Sequence, residues 1–212
     1  MTITYPVQLP EDLFGQFAFN EVNTVAVNAS AFTGRRNKQV YSGGQYWRLR
    51  VAFVRMNRDE AEDIGAILSS LKGAEGTCTI VEVMNSVPRG AAALDPGTPT
   101  VNGGGQVGSV LEIKDAPVSV TDYLVRGDRI QVGPNTRPRL YKVLENVTTD
   151  VAGTASITVW PTLRSTEVID DDPIFILSPK GWFEMEGNNF EYLEDAPGLY
   201  TIRVEFVEAE LP

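Results

Sequence analysis

The sequence predicts a mainly β protein of the α+β class, with one helix packed against β-structure. Three observations support this: short segments of alternating apolar residues recur, one segment has helical spacing, and a Pro/Gly-rich stretch divides the chain. The 212 residues are 42% apolar, enough for one large or two small domains with a buried core. We therefore expect a split β-sandwich with one packed helix, plus an inserted small β-barrel domain.

The first half contains three predicted strands. Residues 22–29 form one, residues 45–54 form a second whose apolar side chains alternate, and residues 77–83 form a third after the helix. Alternation places one set of side chains on the same face, which we expect to be buried. That set is Trp47, Leu49, Val51 and Phe53. Arg48 and Arg50 then share the opposite face with Tyr46.

A helix is predicted over 57–72. Asn57 can cap it, and Glu60 three residues later completes an asparagine version of the capping box. Gly73 suits the left-handed position after the last turn. The apolar stripe consists of Ala61, Ile64, Leu68 and Leu71. The acids Asp59, Glu60, Glu62 and Asp63 fit a solvated helix start better than a metal site, because they complement the helix dipole.

The remaining chain is predicted to be β-structure after a loop or linker at 86–108, which contains three prolines and six glycines. The predicted strands are 110–113, 118–125, 128–132, 139–144, 155–160, 174–177, 181–186 and 200–206. The last places Tyr200, Ile202, Val204 and Phe206 on a buried face, after a polar stretch at 187–198. We therefore predict a discontinuous domain, 1–84 and 178–212 with helix 57–72, and an inserted all-β domain, 85–177.

The composition argues against an enzyme. The chain has no histidine and one cysteine, which excludes Ser-His-Asp catalysis, Cys-His catalysis and a four-cysteine zinc site within one chain. Cys78 is interpreted as a small buried hydrophobic residue. We predict no catalytic, cofactor-binding or metal-binding residues, and no cofactor. Continuous apolar stretches are also too short to span a bilayer, so no membrane insertion is expected.

Three motifs leave alternatives open. Residues 103–108 match G-x-G-x-x-G formally, but a strand rather than a helix follows, which disfavours nucleotide binding. Asp170, Asp171 and Asp172 fit a solvated turn better than a calcium loop. A carboxylate glycosidase remains a weaker alternative to plain strand faces and an acidic loop. Its candidate residues are Glu184, Glu186, Glu191, Glu194 and Asp195, near Trp182, Phe183, Phe190 and Tyr192.

The chain is acidic overall but contains one cluster of basic residues. The net charge of −10 argues against a protein that grips a phosphate backbone, because such binding needs clustered Lys and Arg. One basic cluster is predicted: Arg35, Arg36, Lys38, Arg48 and Arg50. Because the core takes the opposite face, Arg48 and Arg50 are equally compatible with a subunit interface and with plain solvent exposure.

Hydrophobic and glycine positions recur in two parts of the chain. The first comprises Gly44, Trp47 and Leu49, the helix end at 71–73 and the strand start at 76–80. The second comprises 127–132, 140–143, 150–159 and 161–164, and the ending 206–209 also fits. Together these positions resemble the distal tail proteins, or minor tail proteins, of long-tailed bacteriophages. Cys78 stands where related chains more often have an aromatic residue.

The resemblance implies a tail-tube-like domain in a ring, usually six-fold, that connects the tail tube to the baseplate or hub. The split domain would form the ring, and the inserted β domain would project outward. Implied partners are further copies of the chain, the tail tube protein, the hub and other tail-tip proteins. DNA would pass through an acidic lumen without specific binding. The expected location is the virion, after assembly in the bacterial cytoplasm. The alternative is a carbohydrate-binding module that contacts host-surface glycans.

Overall fold

The computed structural model describes residues 3–11, 14–196 and 198–209, and for Phe14, Val40, Ser42, Gly43, Asp195 and Ala196 the backbone only. The predicted discontinuous domain also includes residues 1–2, 12–13, 197 and 210–212, which lie outside the described residues. Within these limits the chain is mainly β with one α-helix, which confirms the predicted fold class.

The elements follow in chain order. They are β1 (Val7–Gln8), β2 (Phe14–Ala29), β3 (Arg36–Met56), α1 (Arg58–Ser70), β4 (Thr77–Val81), β5 (Thr100–Val101), β6 (Gly108–Lys114), β7 (Arg129–Val132), β8 (Arg139–Val143), β9 (Ala155–Leu163), β10 (Ile174–Phe175), β11 (Lys180–Met185), β12 (Glu191–Ala196) and β13 (Leu199–Glu208). Two short 3-10 helices occur at Gly73–Glu75 and Ala91–Ala93.

The strands form two sheets. The first has the order β1-β4-β11-β13-β3-β2, and β12 also pairs with β13. The second has the order β10-β7-β8-β9-β6-β5 and is nearly closed like a barrel. Its edges meet where Val101 N donates to Asp172 O at 3.0 Å and Ile174 N donates to Pro99 O at 2.9 Å. The first sheet draws its strands from both ends of the chain and the second from the middle; the domain boundaries themselves stay a prediction.

The first sheet buries the face that alternation predicts. The side chains of Trp47, Leu49, Val51 and Phe53 are between 0% and 2% exposed. On β13, Ile202, Val204 and Phe206 are also buried and Tyr200 is partly buried. Helix α1 covers this face with Ala61, Ile64 and Leu68. Each fully buried Val, Leu, Ile or Phe side chain in this set contributes roughly 1.5–3 kcal/mol by leaving water.

The predicted capping box is present. Glu60 N donates to Asn57 Oδ1 at 3.0 Å, and Asn57 N donates to Glu60 Oε2 at 2.9 Å. The helix end differs from the prediction, because α1 stops at Ser70 and Leu71 is the C-cap. Lys72, with φ of +54°, takes the left-handed position predicted for Gly73. Gly73 also has a positive φ and begins the 3-10 turn.

Three sequence predictions of local structure are wrong. Residues 118–125 form no strand, because Ser119 and Asp122 have positive φ and Val120 N bonds to the Thr149 hydroxyl instead of a ladder. The polar stretch 187–198 contains β12, which pairs with β13. The predicted linker 86–108 holds a 3-10 turn, β5 and the start of β6, and its Gly90 is buried against the backbone of 122–124.

An aromatic contact joins the two sheets. The rings of Trp47 and Trp160 meet edge-on with centroids 4.5 Å apart, and Trp47 Nε1 donates to Leu140 O at 2.8 Å. Arg129 from β7 lies over Trp47 at 4.4 Å and over Phe19 at 4.9 Å. The second sheet therefore packs against the first beside β2 and β3.

Candidate functional site: a protruding two-stranded arm

Strands β2 and β3 continue as a ribbon well beyond the core. We call residues 25–40 the arm; they comprise the paired rungs from Val25↔Val40 to Ala29↔Arg36 and the turn that joins them. All side chains from Asn23 through Gln39 are exposed. They include large apolar groups, since Val25 is 40%, Val27 48% and Phe32 99% exposed.

A hydrogen-bonded turn closes the tip. Ser30 N donates to Arg35 O at 2.9 Å, and Gly34 N donates to Ser30 O at 3.0 Å. Gly34 adopts a φ of +65°, a conformation that glycine reaches without steric cost. The turn has its own hydrogen bonds, so its shape is specified locally.

An irregularity separates the arm from the sheet. Asn23 pairs with Gln45, but the next rung joins Val25 to Val40, so four residues of β3 lie opposite Thr24 alone. Bulges of this kind bend a ribbon and increase its twist. Gly44 permits the close approach, because a Cβ there would lie 2.9 Å from Thr24 Cβ.

The second sheet holds the base of the arm. Asn23 Oδ1 accepts hydrogen bonds from Trp160 Nε1 at 3.0 Å and from Gln45 Nε2 at 2.9 Å. Gln45 Oε1 accepts from Thr162 N at 2.9 Å. Lys142 pairs with Glu21 at 2.7 Å. Strands β8 and β9 therefore fix the last rung before the irregularity.

The structure splits the predicted basic cluster. Arg48 and Arg50 lie on the outer face of the first sheet, as alternation predicts, and form ion pairs with Glu186 and Glu205. A surface groove of about 650 Å³ adjoins Arg50 and Glu205. Arg35, Arg36 and Lys38 lie on the arm, and none of them makes an ion pair with another described residue.

Of the candidate glycosidase residues, Glu186, Phe190 and Glu191 line the surface groove beside Arg50, but both carboxylates are held in ion pairs. Phe183 is fully buried and Phe190 packs against the core. Glu186 pairs with Arg48, and Glu191 pairs with Arg203 at 3.4 Å. Glu184 lies on β11 and Glu194 on β12, while Trp182 is half-buried and Tyr192 is 40% exposed. The side chain of Asp195 lies outside the described residues.

The aspartates at 170–172 tie loops together. Asp170 Oδ1 accepts from Gly103 N at 2.8 Å, and that hydrogen bond lowers the pKa of Asp170. Lys114 pairs with Asp170 and Asp171, while Asp172 pairs with Arg137 at 2.7 Å. In the described ranges no group of three or more His, Cys, Asp or Glu side chains is placed to hold a metal ion.

The one cysteine has the environment expected from the sequence. Cys78 is fully buried on β4, and burial raises the pKa of its thiol. A thiol that resists ionisation is a poor nucleophile. Its contribution is therefore packing.

Two buried ion-pair groups link the sheets. Glu82 pairs with Arg129 at 3.1 Å, and burial raises the pKa of Glu82. Arg139 pairs with Glu167 at 2.6 Å and with Glu208 at 3.6 Å. Burial raises the pKa of Glu208 to about 7, although Arg139 and the Trp47 N–H both favour its charged form. Within each ion-pair group the acidic and basic side chains stabilise one another, because a buried charge without a partner is strongly destabilising.

Comparison with known proteins adds no assignment: no protein-family model matches the chain, and no curated protein sequence matches it. Among the described residues, no helix has the length and apolar character needed to cross a membrane.

The sequence predictions missed the arm and its anchor. They included residues 22–29 as a strand but not the pairing with 36–40, and they gave no role to Asn23, Gln45 or Trp160. The alternation of Val25 and Val27, followed by a turn with Gly34, is the signal that predicts a hairpin. The hydrogen bond between Asn23 and Trp160, which holds the base of the arm, could not be predicted from a local sequence pattern, since the two residues are 137 positions apart.

Proposed function

We propose that this protein is a structural component of a bacteriophage tail tip, and that it assembles as a ring connecting the tail tube to the baseplate or hub. The observation that carries the proposal is the uncovered arm. A two-stranded ribbon is marginally stable in water by itself. A ribbon that exposes Val25, Val27 and Phe32 is therefore suited to a partner that covers it.

The edge position of β2 supports assembly from identical copies. β2 is 16 residues long and is an edge strand of the first sheet in the described part of the chain, a position from which a strand can pair with another chain. Contacts between two different surfaces of identical subunits generate rings when the rotation closes. The resemblance to distal tail proteins supports six copies, with the tail tube protein and the hub as further partners.

The acidic charge is compatible with the proposed passage of DNA. With a net charge of −10, a lumen lined by some of the excess acidic residues would repel phosphate rather than bind it. The protein would act in the virion after assembly in the host cytoplasm, and the proposal includes no catalytic step.

The carbohydrate-binding alternative has weaker support. Sugar binding by stacking requires exposed aromatic rings. In the second sheet and its loops Tyr123, Tyr141 and Trp160 are buried, and Phe175 is 38% exposed. A glycan array tests this alternative directly, since a purely structural ring should show no selective binding.

Oligomeric state in solution tests the proposal. We expect the purified chain to form a closed assembly of one defined order at high concentration, detected by analytical ultracentrifugation and imaged by cryo-electron microscopy. A chain that stays monomeric at every concentration and never enters tail assemblies contradicts the proposal.

A variant with a shortened arm tests whether the arm is needed for assembly. Replacing residues 26–39 with Asn-Gly joins the opposed pair Val25 and Val40 through a two-residue hairpin turn. The removed side chains are exposed, so thermal unfolding should change little. Assembly should be lost. Unchanged assembly of this variant would show that the arm is not the contact.

A further inference from the structure

The arm has two chemically different faces. Directly opposed residues of an antiparallel pair share a face. One face carries Val25, Val27 and Ala29 opposite the basic end of β3, where Lys38 pairs with Val27 and Arg36 with Ala29. The other face carries Ala26 and Asn28 opposite Gln39 and Asn37. One face is therefore apolar and cationic, and the other is neutral.

The cations of the arm lack counterions within the chain. The arm holds Arg35, Arg36 and Lys38 and no acidic residue, in a protein of net charge −10. Several basic residues elsewhere are paired, as Arg48 is with Glu186 and Lys142 with Glu21, whereas Arg55 and Arg58 form no ion pair in the described part of the chain. Among the described residues, the arm cations have no such pair. Any charge that complements them would come from another molecule.

This chain carries an acidic surface on α1 and β12. Asp59, Glu62 and Asp63 are exposed on the first turns of α1 and form no ion pair in the described part of the chain. Beside them lies the ring of Tyr192, whose Cε2 is 4.0 Å from the position of a Cβ on Gly65. Exposed Glu194 follows on β12. The charges of Glu62, Arg58 and Glu194 all reach the Tyr192 hydroxyl, so this exposed ring has two acidic neighbours and one basic neighbour.

The two surfaces lie at opposite ends of one strand. The arm occupies the start of β3, and α1 begins two residues after β3 ends at Met56. An extended strand of 21 residues spans roughly 70 Å when straight, so the arm of one copy does not reach its own helix. Each copy therefore offers one surface at each end, the arrangement that makes head-to-tail contacts.

We propose that the apolar and cationic face of the arm docks on the acidic surface of α1 and β12 of a second copy of this chain. The inference rests on the proposed ring and names its contact. Val25 and Val27 would cover Tyr192, while Arg36 and Lys38 would meet Glu62 and Asp63. Because both charge sets are exposed, the contact should weaken as salt increases.

Charge neutralisation on one face of the arm tests the contact. R36Q/K38Q and the control N37E/Q39E lower the net charge equally but alter opposite faces of the arm. R36Q/K38Q should raise the concentration for half-assembly roughly tenfold, since exposed pairs contribute about 0.2–1 kcal/mol each. The control should change it much less. Equal effects of the two variants would overturn the proposed face.

Exchange of charges gives the sharper test. R36E/K38E and E62K/D63K should each fail to assemble alone, and an equimolar mixture should assemble again with alternating copies. Asp59 and Glu60 are left intact to preserve the helix start, and circular dichroism checks that both variants fold. A mixture that stays monomeric would overturn the inference.

Three outcomes separate the inference from the function on which it rests. If R36E/K38E assembles like the unmodified protein, the docking contact is wrong and the ring survives. If the unmodified protein is always monomeric, both are wrong. If R36Q/K38Q leaves assembly intact but abolishes binding of a DNA oligonucleotide, the arm is a nucleic-acid surface and the docking contact is overturned.

Discussion

The indole Nε1 of Trp160 donates a 3.0 Å hydrogen bond to Oδ1 of Asn23, which joins the second sheet to the base of the arm. The same oxygen accepts from Gln45 Nε2, so one side chain connects β2, β3 and β9. The position from which the arm projects is therefore set by a strand from the middle of the chain.

Substitution at this bond should show coupling between the two residues. Trp160→Phe and Asn23→Ala should each lower the free energy of unfolding by about 1–2 kcal/mol, and a double-mutant cycle should give a coupling of about 1 kcal/mol. Urea denaturation measures both. Trp182→Phe is the matched control, because the buried Trp182 Nε1 has no hydrogen-bond acceptor among the described residues. Strict additivity of the Trp160 and Asn23 effects would contradict the finding.

Removal of Arg129 should be costly. Its guanidinium pairs with the buried Glu82 and lies over the Trp47 ring, so Arg129→Ala leaves a buried carboxylate without its counter-charge, although Asn85 Nδ2 still donates to it at 3.3 Å. We expect a loss of about 3–5 kcal/mol in unfolding free energy. The double variant E82Q/R129M should recover much of it. Arg50→Ala, at an exposed pair, should cost at most about 1 kcal/mol.

Stability should fall as pH rises from about 5 to about 8. Burial raises the pKa of Glu208 from 4.5 to about 7, so in this window the folded chain retains a proton that the unfolded chain releases. Arg139, Glu167 and Arg164 also act on this carboxyl. The expected loss is about 2 kcal/mol by linkage, levelling off above pH 7. Glu208→Gln should reduce the slope measured by urea denaturation; an unchanged slope would contradict this assignment.

Two glycines should respond in opposite directions to alanine. Gly65 lies inside α1 with room for a Cβ, which would be in ordinary contact with Tyr192 Cε2 at 4.0 Å, so Gly65→Ala should stabilise the protein by about 0.5–1 kcal/mol. Gly73 has a φ of +74°, and a Cβ there would collide with Asn188 Oδ1. Gly73→Ala should therefore destabilise by at least about 1 kcal/mol. Thermal unfolding compares the two, and effects of the same sign would contradict the local geometry.

The sequence by itself determined the local features. Alternation at 45–54 predicted the buried face of Trp47 and Phe53, and Asn57 with Glu60 predicted the helix start. These predictions succeeded because period-two burial and capping depend on neighbours within a few residues. The lone Cys78 was likewise correctly interpreted as a buried residue.

Only the tertiary structure decided where the arm projects and which charges remain unpaired. Arg48 and Arg36 look equivalent in sequence, yet Arg48 meets Glu186, 138 residues away, and Arg36 lies on a free ribbon. Strand register and sheet order create such pairings between distant segments, and local pattern does not encode them. The anchor of Asn23 on Trp160 exists for the same reason.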